Sequence, residues 1–251
     1  MKSLMIRPTL PLLTLALAAA ASTVQAQLTE APVGSFLTPS YRGQTGTESA
    51  FWNDSYTNAF GGANQASTLA PGGVSLANAS VTQTTSGAFL LSHPGGDIYS
   101  FSSINTFVLN YSVSNPANFP NGVGSVFFQT ETVGAELDYS SVQLSYTTAA
   151  GTQTLPALIT EELFRSTGDS GFGSTSDVLR EWQWNLPLGD DVTSFSIAFN
   201  ASDVSLGMER TMLDVAPFNV AAVPEPSSMA LAGIGGAGLL LWTRRLKVKK
   251  V

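Results

Sequence analysis

The chain has 251 residues, no cysteine and a formal net charge of −7. Without cysteine, disulfides and thiolate metal sites are excluded. Between Gln27 and Ala222 stand 17 of the 18 acidic residues against four arginines and no lysine, so that stretch carries −13. Such a charge excludes nucleic acid, whose phosphates need clustered cations, and docking on an anionic membrane. It suits solubility outside the cell, or the binding of cations such as calcium.

Residues 1–26 read as a secretory signal peptide. Lys2 and Arg7 precede an apolar run from Leu10 to Ala21, broken only by Pro11 and Thr14. Val24-Gln25-Ala26 puts small residues at the −3 and −1 positions, so signal peptidase is expected to cut between Ala26 and Gln27 once the secretion machinery has engaged the helix. The run falls short of the roughly 20 apolar residues that a retained spanning helix needs.

From Gln27 to about Pro71 the chain is rich in Gly, Ser, Thr, Asn and Ala, with few large apolar residues. That predicts one or two short strands among long loops, with Phe51-Trp52 as the main core contact. From about Ala79 onward the pattern has period two. Tyr99 and Phe101 fall on one face, as do Phe107, Leu109 and Tyr111. Val126 with Phe128, Val142 with Leu144 and Tyr146, Trp182 with Trp184 and Leu186, and Phe195 with Ile197 and Phe199 repeat it. Alternation of this kind means one packed and one wet face, as in antiparallel sheets. Turn residues such as Asn115-Pro116, Pro120-Asn121-Gly122 and Gly189-Asp190-Asp191 separate the runs. The spacing predicts an all-β, antiparallel β-sandwich or jelly-roll-like ectodomain over 27–222. Pro156 to Arg165 fits either a helix or a strand leading into the Gly-rich stretch 168–174. Met212 to Val215 is expected to be the last strand.

The body offers little catalytic chemistry. His93, the one histidine, sits in a His-Pro-Gly-Gly turn, so a histidine-based nucleophilic triad and a zinc site lack ligands. Glu161/Glu162, Asp190/Asp191 and Glu136/Asp138 supply carboxylates for glycoside hydrolysis by composition alone; adjacent residues of a strand face opposite ways. No catalytic residue is therefore assigned, and the metal set is unknown. Calcium is the one cofactor that the residue content admits, around Asn53-Asp54-Ser55 and Gly168-Asp169, although neither stretch has EF-hand spacing. Trp182 and Trp184 share a strand face on which a sugar could stack, and core packing accounts for them equally. Four Asn-x-Ser sequons begin at Asn53, Asn78, Asn110 and Asn200.

Residues 223–251 form a distinct tail. Pro224-Glu225-Pro226 comes first, then an uncharged run from Met229 to Trp242, then Arg244, Arg245, Lys247, Lys249 and Lys250. As a helix, the apolar run would span roughly 21 Å, short of the hydrocarbon core of about 30 Å. Gly233, Gly235, Gly236 and Gly238 lower its helix propensity. A short C-terminal transmembrane helix of this kind suits temporary residence. Its basic end is expected to stay cytoplasmic, with the body outside, the orientation the signal peptide also gives. The prolines hold Glu225 extended, as a processing enzyme requires.

This three-part order resembles the PEP-CTERM protein-sorting domain. Such domains sit on exported bacterial proteins and are recognised and cleaved by an exosortase, a membrane cysteine protease/transpeptidase. The resemblance implies that Pro224, Glu225 and Pro226 are the recognition motif, that Arg244 and Arg245 belong to the basic stop, and that an exosortase is a partner. It also implies an association with exopolysaccharide or biofilm matrix. The sequence thus predicts a surface or matrix protein carrying a disposable sorting signal, alternatively a surface carbohydrate-binding module, and as a third reading a glycoside hydrolase.

Overall fold

The computed structural model describes residues 28–29, 35–53, 55–91, 96–101, 103–169 and 174–218. The signal peptide with its Ala26–Gln27 cleavage site, the tail with Pro224, Glu225, Pro226, Arg244 and Arg245, and also Asp54 and His93, lie outside the described residues. So the expected N-terminal and C-terminal helices lie outside them as well. Among the described residues no helix is long and apolar enough to cross a membrane.

Every named strand of the described chain pairs antiparallel; beside them stand one isolated parallel bridge, Ser49 to Leu76, and one 3-10 turn at Pro116–Asn118. Its strands, in order, are β1 (Leu28–Thr29), β2 (Thr38–Pro39), β3 (Glu48–Asn53), β4 (Asn64–Gln65), β5 (Asn78–Gln83), β6 (Phe89–Leu91), β7 (Asp97–Tyr99) and β8 (Thr106–Ser112). After the turn come β9 (Val123–Gly134), β10 (Leu137–Thr148), β11 (Gly151–Leu155), β12 (Ile159–Asp169), β13 (Ser174–Asn185), β14 (Ser194–Ala201) and β15 (Leu206–Pro217). One sheet runs β11-β10-β14-β8-β5-β4. A second runs β12-β13-β9-β15-β7-β6, with β3 also paired to β15, and β1 and β2 pair with each other in a separate two-stranded sheet. The chain changes sheet between β3 and β4, β5 and β6, β7 and β8, β8 and β9, β9 and β10, β11 and β12, β13 and β14, and β14 and β15.

The period-two residues form the core. Leu109, Leu144, Ile197 and Val81 come from one sheet; Trp52, Val126, Phe128, Trp182, Trp184 and Leu213 come from the other, all in a single apolar cluster. Phe128 meets Phe199 across the sheets at 5.2 Å between ring centroids, and Trp182 at 5.5 Å within its own sheet. Burying each such side chain stabilises by about 1.5–3 kcal/mol, which fixes the register of the strands that carry them.

Three local outcomes refine the expectations. The stretch from Ile159 is strand, not helix, pairing with β13 through a register shift between Glu162 and Phe164. The last strand is twelve residues long and reaches Pro217. Trp182 and Trp184 are both buried, so the sheet face they share is the core face and offers no sugar platform.

The region before Pro71 does more than loop. Residues 35–47 cross the outer face of the second sheet. Gln129 binds Leu37 through both amide atoms, at 2.7 Å from the Leu37 N–H and 3.0 Å to its carbonyl. Leu37 and Tyr41 pack there with Phe127 and Ala216. As a result β9 is buried on both faces along most of its length.

Candidate functional site

At one end of the sandwich, the β6–β7 hairpin, the β9–β10 turn, the start of β13 and the β14–β15 turn enclose a cleft of ≈ 970 Å³. That is a volume typical of ligand sites. The two turns are locked together. Gly134 has φ +89, a conformation open to glycine, and a Cβ there would lie 2.2 Å from the Ser205 carbonyl. Ser205 itself sits at φ 68, uncommon for a residue with a side chain. Its N–H donates to the Ser100 carbonyl at 2.7 Å, and its carbonyl accepts from Ala135 at 3.1 Å. The backbone groups thus hold Ser205 in a left-handed conformation at the cleft wall.

One wall of the cleft is aromatic. Strand β7 ends at Tyr99, and Phe101 follows outside it. Their rings meet at 4.7 Å, and Phe89 of β6 stacks on Phe101 at 5.4 Å. Phe101 remains 65% exposed and Phe89 37%. Thr175, Ser176, Ser202 and Asp203 also line the cleft. Asp203 accepts the Val204 N–H at 2.7 Å with one carboxylate oxygen. Period-two reading grouped Tyr99 with Phe101 but gave no reason for either ring to be exposed; that follows from the strand ending between them.

Glu136 borders the cleft and is committed to an ion-pair network. Arg165 donates to it at 2.9 Å and forks onto Glu162 at 3.0 and 2.7 Å. Tyr139 also donates to Glu136, and the Arg180 guanidinium lies 3.9 Å over the Tyr139 ring. The Arg165 hydrogen bond is the main cause that pulls the Glu136 carboxyl down to about 2. Glu162 is lowered for the same reason. Burial and the Glu136 hydrogen bond push the Tyr139 phenol up to about 12. A carboxyl held this low cannot donate a proton at neutral pH.

The other acids picked out by sequence do not converge. Asp138 accepts the Ser140 N–H at 3.0 Å in a local turn. Asp190 accepts the Tyr146 hydroxyl at 2.8 Å, and Asp191 occupies a positive-φ turn position. Glu161 sits opposite Glu181 across β12 and β13.

Two carboxyls that the sequence did not single out are strongly perturbed, both on β13. Burial, reinforced by Glu161, raises Glu181 to about 7. Burial, reinforced by Glu131, raises Asp177 to about 6. Four residues apart on one strand, they are about 13 Å distant along it, with Leu179 between. Both lie on the strand face turned away from Trp182 and Trp184, so the alternation of core residues does not mark them. Among the described residues, no group of three or more His, Asp or Glu side chains is placed to hold a metal ion. The Asp169 side chain, named for calcium, lies outside the described residues.

No curated protein matches the chain. Residues 222–245 match the PEP-CTERM protein-sorting motif. That segment begins one residue before Val223 and contains Pro224, Glu225 and Pro226, the whole apolar run, and Arg244 and Arg245. The chain is therefore a PEP-CTERM domain-containing protein, its sorting motif following directly on a β-rich body.

Proposed function

We propose that this protein is an exported cell-surface or extracellular-matrix component whose tail is a removable address. The signal peptide of 1–26 delivers the chain across the inner membrane, and signal peptidase frees Gln27. The 223–251 tail then holds the chain transiently, basic end in the cytoplasm and body outside. An exosortase-type membrane protease/transpeptidase cuts near Pro224-Glu225-Pro226 and releases the 27–222 body to the surface, where exopolysaccharide is its neighbour.

The observation that carries this reading is the sorting-motif match over 222–245. The tail supports it, since a glycine-rich apolar run of about 14 residues is a poor permanent anchor. A non-catalytic body is part of the reading. Its support is that Glu136, one of the two acids lining the cleft among the described residues, is paired with Arg165 and not poised for proton transfer. No cofactor is required.

The test is a tag fused after Val251 and followed in the native host. The tag is expected to part from the body in wild type, with the body recovered outside the inner membrane. In Glu225→Ala the two should stay joined in that membrane. If tag and body remain joined there in both, the tail is a plain anchor and the reading is wrong.

A further inference from the structure

On the face of β12 and β13 turned away from the core tryptophans, two carboxylates stand side by side. Glu161 of β12 is directly opposite Glu181 of β13. Residues so paired share a sheet face, and like charges there repel. Glu181 is 0% exposed, and neither of its carboxylate oxygens has a hydrogen-bond partner among the described residues. Gln183, two residues on and so on the same face, is also 0% exposed, with both amide atoms unpartnered among those residues. A buried carboxylate and a buried amide without partners are costly. The neighbouring side chains do not relieve them. Gln129, opposite Glu181 on β9, turns both its amide atoms to Leu37. The four arginines between Gln27 and Ala222 are engaged elsewhere: Arg42 with Asp214, Arg165 with Glu136 and Glu162, Arg180 with Glu162 and the Tyr139 ring, and Arg210 with Glu131. A cation from solution, drawn by a body of −13, would supply what the chain does not.

We propose that Glu161, Glu181 and Gln183 form a calcium site, in which the two carboxylates and the Gln183 amide oxygen bind the ion and water completes its shell. The donors are carboxylate and amide oxygens, with no imidazole or thiolate, which suits a hard cation and not zinc or copper. Calcium accepts irregular oxygen sets, whereas magnesium demands near-ideal octahedral geometry and gives up its water reluctantly. Glu181 and Gln183 are the buried floor, and the exposed Glu161 marks the side from which an ion enters. The site lies at neither stretch that residue content suggested for calcium, goes beyond the sorting reading and does not rest on it. Without calcium the Glu181 carboxyl is a buried acid, raised to about 7 by burial and by Glu161. Calcium and a proton therefore compete for it. The charged groups facing it are Glu161 on β12 and, diagonally on β9, Glu131, which Arg210 holds.

The test is calorimetric titration of the purified full chain, freed of metal by a chelator, with calcium chloride. At pH 8 one ion should bind per chain, with Kd on the order of 10⁻⁴–10⁻³ M, the range of calcium modules that work outside cells. Binding should be at least about tenfold weaker at pH 5.5, where Glu181 keeps its proton, and magnesium chloride should give no comparable binding. Glu161→Gln is exposed and should fold as wild type; it should weaken binding about tenfold, because affinity follows the number of charged ligands. Glu181→Gln should abolish binding. Asp191→Asn, which removes one exposed acid elsewhere, should bind as wild type. The proposal is overturned by no binding up to about 10 mM calcium, by equal binding of magnesium, or by binding as strong at pH 5.5 as at pH 8. It is also overturned if Glu161→Gln and Glu181→Gln both bind as wild type, or if Asp191→Asn weakens binding as much as Glu161→Gln, which would mean diffuse attraction to an acidic body.

Discussion

Arg42 and Asp214, 172 residues apart in sequence, form a buried forked ion pair that fastens the N-terminal segment to the last strand. Arg42 Nε lies 2.7 Å from Asp214 Oδ1, and Nη2 lies 2.6 Å from Oδ2. Burial pushes the Asp214 carboxyl up, and Arg42 opposes that shift. Nη2 also donates to the Leu37 carbonyl at 3.1 Å, so a single guanidinium ties strap to sheet. Arg42→Ala leaves a buried carboxylate uncompensated and should cost about 3–5 kcal/mol. Denaturant unfolding measures this, and hydrogen exchange should show residues 35–47 losing protection first. A loss below about 1 kcal/mol, the range of exposed pairs, would contradict the assignment.

Glu48 makes a second long-range tie, between sheets. Buried on β3, it accepts the Tyr111 hydroxyl at 2.9 Å and the Ser114 N–H at 3.2 Å. Tyr111→Phe removes the donor and keeps the ring stacked on Phe195. A loss of about 1.5–3 kcal/mol is expected, as for a hydrogen bond to a charged group. Thermal unfolding of the variant checks it.

Glu181 sets a pH dependence. Its carboxyl is raised to about 7 in the folded protein, against 4.5 for the ordinary group. A raised acid is neutral in both states at pH 4, so no penalty exists there. As pH rises from about 4.5 to 7 the unfolded chain ionises first, and stability falls by up to about 3 kcal/mol. Glu181→Gln should therefore be more stable than wild type at pH 8 and equal to it at pH 4. Asp177, raised to about 6, should leave a residual slope of the same sign. A variant no more stable than wild type at pH 8 would contradict the burial of Glu181.

The two core tryptophans should respond differently to loss of the indole N–H. Trp184 Nε1 donates to the Leu155 carbonyl at 3.1 Å, whereas Trp182 Nε1 is buried with no hydrogen-bond partner among the described residues. Trp184→Phe should cost about 1 kcal/mol more than Trp182→Phe. Trp182→Ala should cost about 3–5 kcal/mol. Melting temperatures of the three variants measure the difference.

The architecture was legible because burial follows strand alternation. Phe107, Leu109 and Tyr111, then Phe195, Ile197 and Phe199, read as packed faces and lie in the core. Trp182 and Trp184 were ambiguous, since a wet aromatic face and a dry one share the same period; only the opposing sheet decides. The stretch from Pro156 was ambiguous because a register shift blurs its period. What escaped the sequence is non-local. Burial of Gln129 on an outward face depends on the segment around Leu37, which crosses it from far away in the chain. The cleft depends on the β6–β7 hairpin, the β9–β10 and β14–β15 turns and the start of β13 meeting, and on Phe101 falling just beyond a strand end. The sorting motif was the reverse case: Pro224, Glu225 and Pro226 with the cationic end are a contiguous signal, readable without any fold.

The central claim is that the tail is cut away near Pro224-Glu225-Pro226 after export. The most direct measurement is the intact mass of the protein recovered from outside the inner membrane of its native host. The account predicts a species starting at Gln27 and ending near Glu225, without Arg244 and Arg245, and no such species from Glu225→Ala. Recovery of the wild-type body with the whole tail through Val251 still attached would contradict it.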